Sequence, residues 1–165
     1  MSTRRDCEQV IIRRAGVDDT EPVMDIIRRT DFFRDVEEDI ALEVLEEAAE
    51  ARPECSYQSY VGMVDGKVAG WVCFGVTPCT LGTFDIYWIA VDPDVQRCGV
   101  GKKLLRFAEQ EIISQKGRLV VIETSGSQKY ASTQGFYERC GYRLAARVEE
   151  FYAPGDDKLI FIKTV

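Results

Sequence analysis

Val91-Asp92-Pro93-Asp94-Val95-Gln96-Arg97-Cys98-Gly99-Val100-Gly101-Lys102 joins two segments of different periodicity. Before it lies Thr83 to Val91 (TFDIYWIAV), nearly all apolar or aromatic, which reads as a central strand covered on both faces. After it, from Gly99 to about Lys116, Val100, Leu104, Ala108 and Ile112 recur every four residues, which reads as a helix ended by Gly117. Glycines at the join let backbone come close to a ligand. The free N–H groups of a helix N-terminus, with the macrodipole behind them, suit an anionic pyrophosphate. Arg97, Lys102 and Lys103 add positive charge. A Walker loop would need glycine in place of Gln96 and a hydroxyl residue in place of Lys103, and a dinucleotide fingerprint would need a small residue in place of Leu104. Both readings fail.

Upstream, Val10 to Arg14 reads as a strand, and Asp18 or Asp19 caps a helix reaching about Thr30 with Pro22 in its first turn. A connector, Asp31 to Arg34, leads to a helix from about Val36 to Ala51 that buries Ile40, Val44, Leu45 and Ala48 and is stopped by Pro53. Tyr57 to Val64 and Lys67 to Val76 form a hairpin around Asp65-Gly66. Downstream come a strand, Leu119 to Thr124, and a helix, Tyr130 to Cys140, closed by Gly141. Two last strands, Tyr142 to Tyr152 and Lys158 to Val165, are joined by a Pro154-Gly155-Asp156-Asp157 turn. The order β-α-α-β-β-β-α-β-α-β-β predicts one α/β domain over 1–165, with its core from about residue 10 and a mixed sheet.

Composition narrows the chemistry. A net charge of −7 argues against a nucleic-acid partner and suits a cationic one. No apolar run approaches the ~20 residues of a membrane span, and MSTRRDCEQ has no apolar segment behind its charges, so a cytoplasmic protein without a membrane partner is expected. Six cysteines without a CxxC pair predict reduced thiols and no metal site, with Cys98 filling space rather than reacting. The chain has no histidine, which excludes Ser-His-Asp and Cys-His nucleophiles. Proton transfer is left to carboxylates, tyrosine, lysine, cysteine or water.

QRCGVG (Gln96 to Gly101), following IAVDP, resembles the Q/R-x-x-G-x-G/A loop of the GNAT superfamily of acetyl-CoA-dependent N-acetyltransferases, and YASTQGFYERCGY (Tyr130 to Tyr142) resembles its N-x-x-A-x-x-L-Y helix followed by G-F. The resemblance covers about Val10 to Val165. It implies a central mixed, mostly antiparallel sheet of about seven strands with about four flanking helices. A splayed parallel pair, Thr83–Val91 and Leu119–Thr124, would hold acetyl-CoA: pantetheine against Ile89, Ala90 and Val91, pyrophosphate on Gln96, Arg97, Cys98, Gly99, Val100, Gly101 and Lys102. Tyr130, Thr133 and Tyr137 would complete the cofactor site. Tyr130 and Thr133 depart from the family's asparagine and alanine, and the connector after Glu123 is longer.

Acyl transfer needs a neutral amine, a polarised carbonyl and a protonated leaving thiolate. The resemblance implies that Tyr137 protonates the sulfur. Glu123, closing an apolar strand, is the expected base, with Asp85 as rival; either could instead bind an ammonium. Asp31, Phe32, Phe33, Asp85, Tyr87 and Tyr152 are the expected acceptor contacts, an aromatic and acidic set suited to an amine. The expected acceptor is a primary amine of a small molecule or exposed peptide, attacked directly in a ternary complex. Acetylation of protein lysines or N-termini and a non-catalytic CoA-binding sensor are the alternatives; both a monomer and a homodimer are compatible with the sequence.

Overall fold

The computed structural model describes residues 9–50, 55–95 and 98–165. Its strands β1 (Ile11–Arg14), β2 (Gln58–Val64), β3 (Lys67–Val76), β4 (Thr83–Val91), β5 (Leu119–Ser125), β6 (Arg143–Ala153) and β7 (Asp156–Thr164) form one sheet in the order β1-β2-β3-β4-β5-β7-β6. Helices α1 (Thr20–Thr30), α2 (Asp35–Ala49), α3 (Val100–Ser114) and α4 (Ala131–Arg139) alternate with them as the sequence predicts. β4 and β5 run parallel, whereas β1–β2, β2–β3, β5–β7 and β6–β7 are antiparallel. The chain forms two compact units: the residues up to Phe74 with Trp88–Ala108, and Gly75–Tyr87 with Glu109–Val165.

In the first unit, α1 turns Val23, Met24, Ile26 and Ile27 inward and α2 turns Ala41, Val44, Leu45 and Ala48 inward. All of these but Ala48 share a core with Val61, Trp71, Cys73 and Ala90. Each large side chain fully buried there contributes roughly 1.5–3 kcal/mol. Ile40, expected inside, is 48% exposed, because the inward stripe centres on Ala41, Val44 and Leu45 and leaves Ile40 beyond its edge. The expected stop at Ala51 and Pro53 lies outside the described residues. Asp19 precedes α1 but does not cap it with its side chain. It turns back to accept the Gly16 amide at 2.8 Å and two Arg13 nitrogens at 2.7 and 2.8 Å. The β2–β3 hairpin turns at Asp65 and Gly66, both left-handed (φ 50° and 74°), the two-residue geometry that Asp-Gly favours.

In the second unit, Ile112, Val120, Ile122, Tyr137, Tyr142, Leu159 and Phe161 are buried. After α3 the left-handed residue is Lys116 (φ 62°), not Gly117. Gly117 is required for another reason: a Cβ there would meet Ile112 Cγ2 at 2.2 Å. β7 starts two residues earlier than predicted, since the turn is Pro154-Gly155 alone and pairing resumes at Ala153↔Asp156. Tyr130 ends a short 3-10 turn ahead of α4, and Tyr142 precedes β6 rather than belonging to it. Among the described residues no helix is long and apolar enough to cross a membrane.

Candidate active site

In the first unit, β4 carries Ile89, Ala90 and Val91 into Asp92, whose amide bonds the Ala69 carbonyl at 2.9 Å. Gly70 makes this approach feasible: a Cβ there would stand 2.9 Å from both the Ala90 carbonyl oxygen and Leu104 Cδ1. A 3-10 turn, Pro93–Val95, follows. Gln96 and Arg97 lie outside the described residues. Gly99 takes φ 79° in open space, and its carbonyl accepts the first intrahelical bond of α3, from Lys103 at 3.0 Å. The amides of Val100, Gly101 and Lys102 therefore form the N-terminal turn, the part of a helix without i−4 partners. Cys98, expected to be a thiol, is held in a disulfide, whereas Cys55, Cys73, Cys79 and Cys140 are free.

This loop is fastened to α1. Arg29 donates to both oxygens of Asp92 at 2.9 Å, to Asp94 at 3.3 Å and to Asp25 at 2.8 Å. Burial pushes the Asp92 carboxyl up, but the hydrogen bonds from Arg29 and the Asp94 amide outweigh it and leave the pKa lowered. Asp92 and Asp25 in turn hold the Arg29 guanidinium above its ordinary value. The expected acceptor residues Asp31, Phe32 and Phe33 follow α1. Asp31 is left-handed (φ 54°) and exposed, and Phe33 packs on Trp88 with ring centroids 5.1 Å apart.

In the second unit, the parallel register runs from Thr83↔Leu119 to Ile86↔Ile122, while β5 continues through Glu123 to Ser125 beside β7. Strand alternation puts Asp85, Tyr87, Val121, Glu123, Ser125 and Lys158 on one face and Ile122, Phe161 and Lys163 on the other. Asp85 accepts a hydrogen bond from the Thr77 hydroxyl at 2.5 Å. Glu123 is ion-paired with Lys158 at 2.6 Å, and the Lys158 ammonium also sits 3.7 Å from the centre of the Phe151 ring and 5.9 Å from that of Tyr152.

Tyr137 stands on the opposite face, its ring 5.9 Å from Phe161 and 6.1 Å from Tyr142. Gln134, one turn earlier, donates to the Ser125 carbonyl at 3.0 Å and so seats α4 on the end of β5. Burial raises the Tyr137 pKa, with a smaller push from Cys140. Its hydroxyl has no hydrogen bond among the described residues, yet none of their fully buried side-chain polar atoms lacks a partner. The 4% of Tyr137 that is accessible therefore includes the hydroxyl. Behind it, Glu109 accepts Tyr142 Oη at 2.9 Å and Lys163 Nζ at 2.9 and 3.0 Å, and Lys163 also donates to the Cys140 carbonyl at 3.0 Å.

The geometry thus brings the two carboxylates to one face and the tyrosine to the other. Thr133 is on α4, and Tyr130 stands at its N-cap. Sequence reasoning missed Lys158, Thr77, Arg29 and the Glu109–Lys163 pair; only the β5–β7 register could have pointed to Lys158. Among the described residues no group of three potential metal ligands converges.

The description "Acetyltransferase (GNAT) family" matches residues 21–142. The chain belongs to the GNAT family of acetyltransferases. A GNAT-family crystal structure from Desulfovibrio desulfuricans superposes with a TM-score of 0.90 and 39% identity, covering 94% of this chain and 99% of that one. Blasticidin-S acetyltransferase of Streptomyces morookaense is 33% identical over 69% of this chain and 79% of its own length. S-(2-succino)cysteine N-acetyltransferase of Bacillus subtilis is 31% identical over 50% of this chain, a match that spans 53% of the Bacillus enzyme. The fold and family expected from the loop and the α4 motif are therefore correct.

Proposed function

We propose that this GNAT protein transfers acetyl from acetyl-CoA to a primary amine by direct attack in a ternary complex. The observation that carries the reading is the short parallel ladder: β4 and β5 are in register over Thr83–Ile86 and Leu119–Ile122, then β4 runs on to Val91 and β5 to Ser125. In this reading pantetheine lies along Ile89–Val91 and the pyrophosphate meets the α3 N-terminal turn, with Lys102 adding charge.

An alkyl amine of pKa ~10.4 is neutral about once in a few thousand molecules at pH 7, so a base matters. Glu123 takes the ammonium proton, directly or through water, with Asp85 as rival. The amine nitrogen attacks the thioester carbonyl carbon, the C–S bond breaks, and the thiolate takes the Tyr137 proton; the surplus proton on the new amide nitrogen leaves through water and restores the phenol. A tyrosine whose pKa is raised by burial holds that proton at neutral pH, as an acid must. Relatives named for S-(2-succino)cysteine and blasticidin S favour a small-molecule acceptor over a protein lysine.

The test is a panel of amines incubated with acetyl-CoA and followed by thiol release. Amine-dependent release that disappears in Tyr137→Phe supports the reading. Tight CoA binding with no release across the panel would instead leave a binding module.

A further inference from the structure

Lys158 is a costly residue for the place it occupies. Its side chain is 14% exposed, and its ammonium is enclosed by the Phe151 ring at 3.7 Å and Glu123 at 2.6 Å. Glu123 is 46% exposed, so the open side of this pair is the carboxylate. On β4, β5 and β7, Lys158 is the one cation on this face among the described residues, where Asp85 already accepts the Thr77 hydroxyl. With Glu123 half-exposed, the pair by itself adds little to the stability of the sheet.

The hairpin is built to hold Lys158 there. Asp156 Oδ1 lies 2.5 Å from the Ser125 hydroxyl, and the Gly126 amide bonds the Asp157 carbonyl at 2.8 Å. Asp157 takes the amide of the left-handed Glu150 at 2.9 Å and Arg147 at 3.0 Å, which shapes the strand that brings Phe151 over the ammonium.

We infer that Lys158 recognises a carboxylate on the acceptor, so that the amine substrate is a small zwitterion with its carboxylate a few bonds from the reacting nitrogen. This rests on the acyl-transfer reading above and adds the substrate class. When the acceptor ammonium approaches Glu123 from its open side, it competes with Lys158 for the carboxylate. An acceptor carboxylate restores a partner to Lys158 and closes an alternating ring of four charges. A second ammonium at that position would instead face the Lys158 ammonium, a like-charge contact. The site therefore selects against polyamines as well as for zwitterions.

The experiment uses matched pairs, each an α-amino acid and the amine left by removing its carboxylate, with acetyl-CoA and thiol release as readout. Binding of the same compounds to the CoA-saturated protein is measured by calorimetry. The wild type is expected to prefer the carboxylated member by ~10²-fold in kcat/KM and in affinity, the scale expected when a buried charge partner is lost. Lys158→Met should collapse that ratio towards one, and Lys158→Arg should keep most of it and report on folding. Equal use of both members, or a preference that survives Lys158→Met, overturns the inference. Turnover of carboxylate-free amines alone leaves acyl transfer standing and removes the zwitterion. If no compound releases thiol, acyl transfer to this panel fails, and calorimetry alone decides: carboxylate-dependent binding lost in Lys158→Met supports the inference, and its absence overturns it.

Discussion

Arg29 grips Asp92 through both terminal guanidinium nitrogens, each 2.9 Å from a different carboxylate oxygen. Asp92 and Asp94 open the loop that is proposed to receive a pyrophosphate, and Arg29 offsets part of their charge. Without it, two carboxylates would repel the cofactor. Arg29→Ala is expected to raise the acetyl-CoA KM by ~10-fold and to change kcat much less, since the loss is one of uniform binding. Adding Asp92→Asn should recover most of the affinity, and the defect should shrink in high salt. Steady-state kinetics at two salt concentrations check this; a defect in kcat alone would assign Arg29 elsewhere.

Gly99 separates backbone from charge effects. Its φ of 79° disfavours any side chain, yet a Cβ there meets nothing within 4 Å. Gly99→Ala should therefore cost about 1 kcal/mol of stability while keeping cofactor binding. Gly99→Asp should abolish the rise in melting temperature given by acetyl-CoA, which at ~100 times Kd corresponds to about 2.7 kcal/mol in the parent protein. Thermal melts with and without acetyl-CoA give the answer. A shift that survives the aspartate would move the pyrophosphate away from this turn.

The elements that sequence patterning located well were those with one dominant local signal. Asp65-Gly66 dictated its own turn, and the i, i+4 stripe of α3 dictated its buried face. Glu123, from its place at the end of an apolar strand, and Tyr137, from the family motif, were legible as candidates, but their partners were not. Lys158 lies 35 residues from Glu123 in the chain, and only the antiparallel β5–β7 register, Ser125 against Lys158, brings them together. Arg29 and Asp92 are likewise joined by tertiary packing of α1. Ile40 failed for the opposite reason: a stripe one position wide of the true face looks equally periodic until the helix is docked.

Asp19 supplies a pH-dependent contribution to folding. The Arg13 hydrogen bonds are the largest influence and lower its pKa; burial opposes them, and the Gly16 amide adds to the lowering. A carboxyl with a folded-state pKa below its unfolded value of ~3.9 stabilises fully above that value, and the stabilisation is lost as pH falls through the lower folded value. Asp19→Asn should cost about 1–3 kcal/mol at neutral pH, as expected for hydrogen bonds to a charged group. The gap between parent and variant in urea unfolding should begin to shrink below about pH 4 and close only below the folded-state pKa. A gap that stays constant with acidification would mean that the Arg13 pairing contributes nothing through charge.

Glu123 and Asp85 share a face, so their roles are separable only by kinetics. If Glu123 is the base, Glu123→Gln should lower turnover most at acidic pH and recover as rising pH supplies neutral amine from solution. Asp85→Asn, which weakens the bond from Thr77, should raise the amine KM and spare kcat at saturation. pH–rate curves for both variants decide the assignment. The opposite pattern would exchange the two roles.

Tyr137 gives the most direct test of the proposed chemistry. Its ring packs between Phe161 and Tyr142, and phenylalanine preserves both contacts, so Tyr137→Phe should melt close to the parent and bind acetyl-CoA equally well. The substitution removes only the donor, and turnover should fall by ~10²-fold, a typical general-acid contribution. Burial raises the tyrosine pKa, so the phenol stays protonated to a higher pH than a free tyrosine, and the parent should show no alkaline loss of kcat from this group below about pH 10. Acyl donors whose thiol leaves more readily need less protonation, so the defect should narrow as the leaving-thiol pKa falls. A variant with full kcat, or a defect of the same size for every leaving group, would show that Tyr137 shapes the site without giving up its proton.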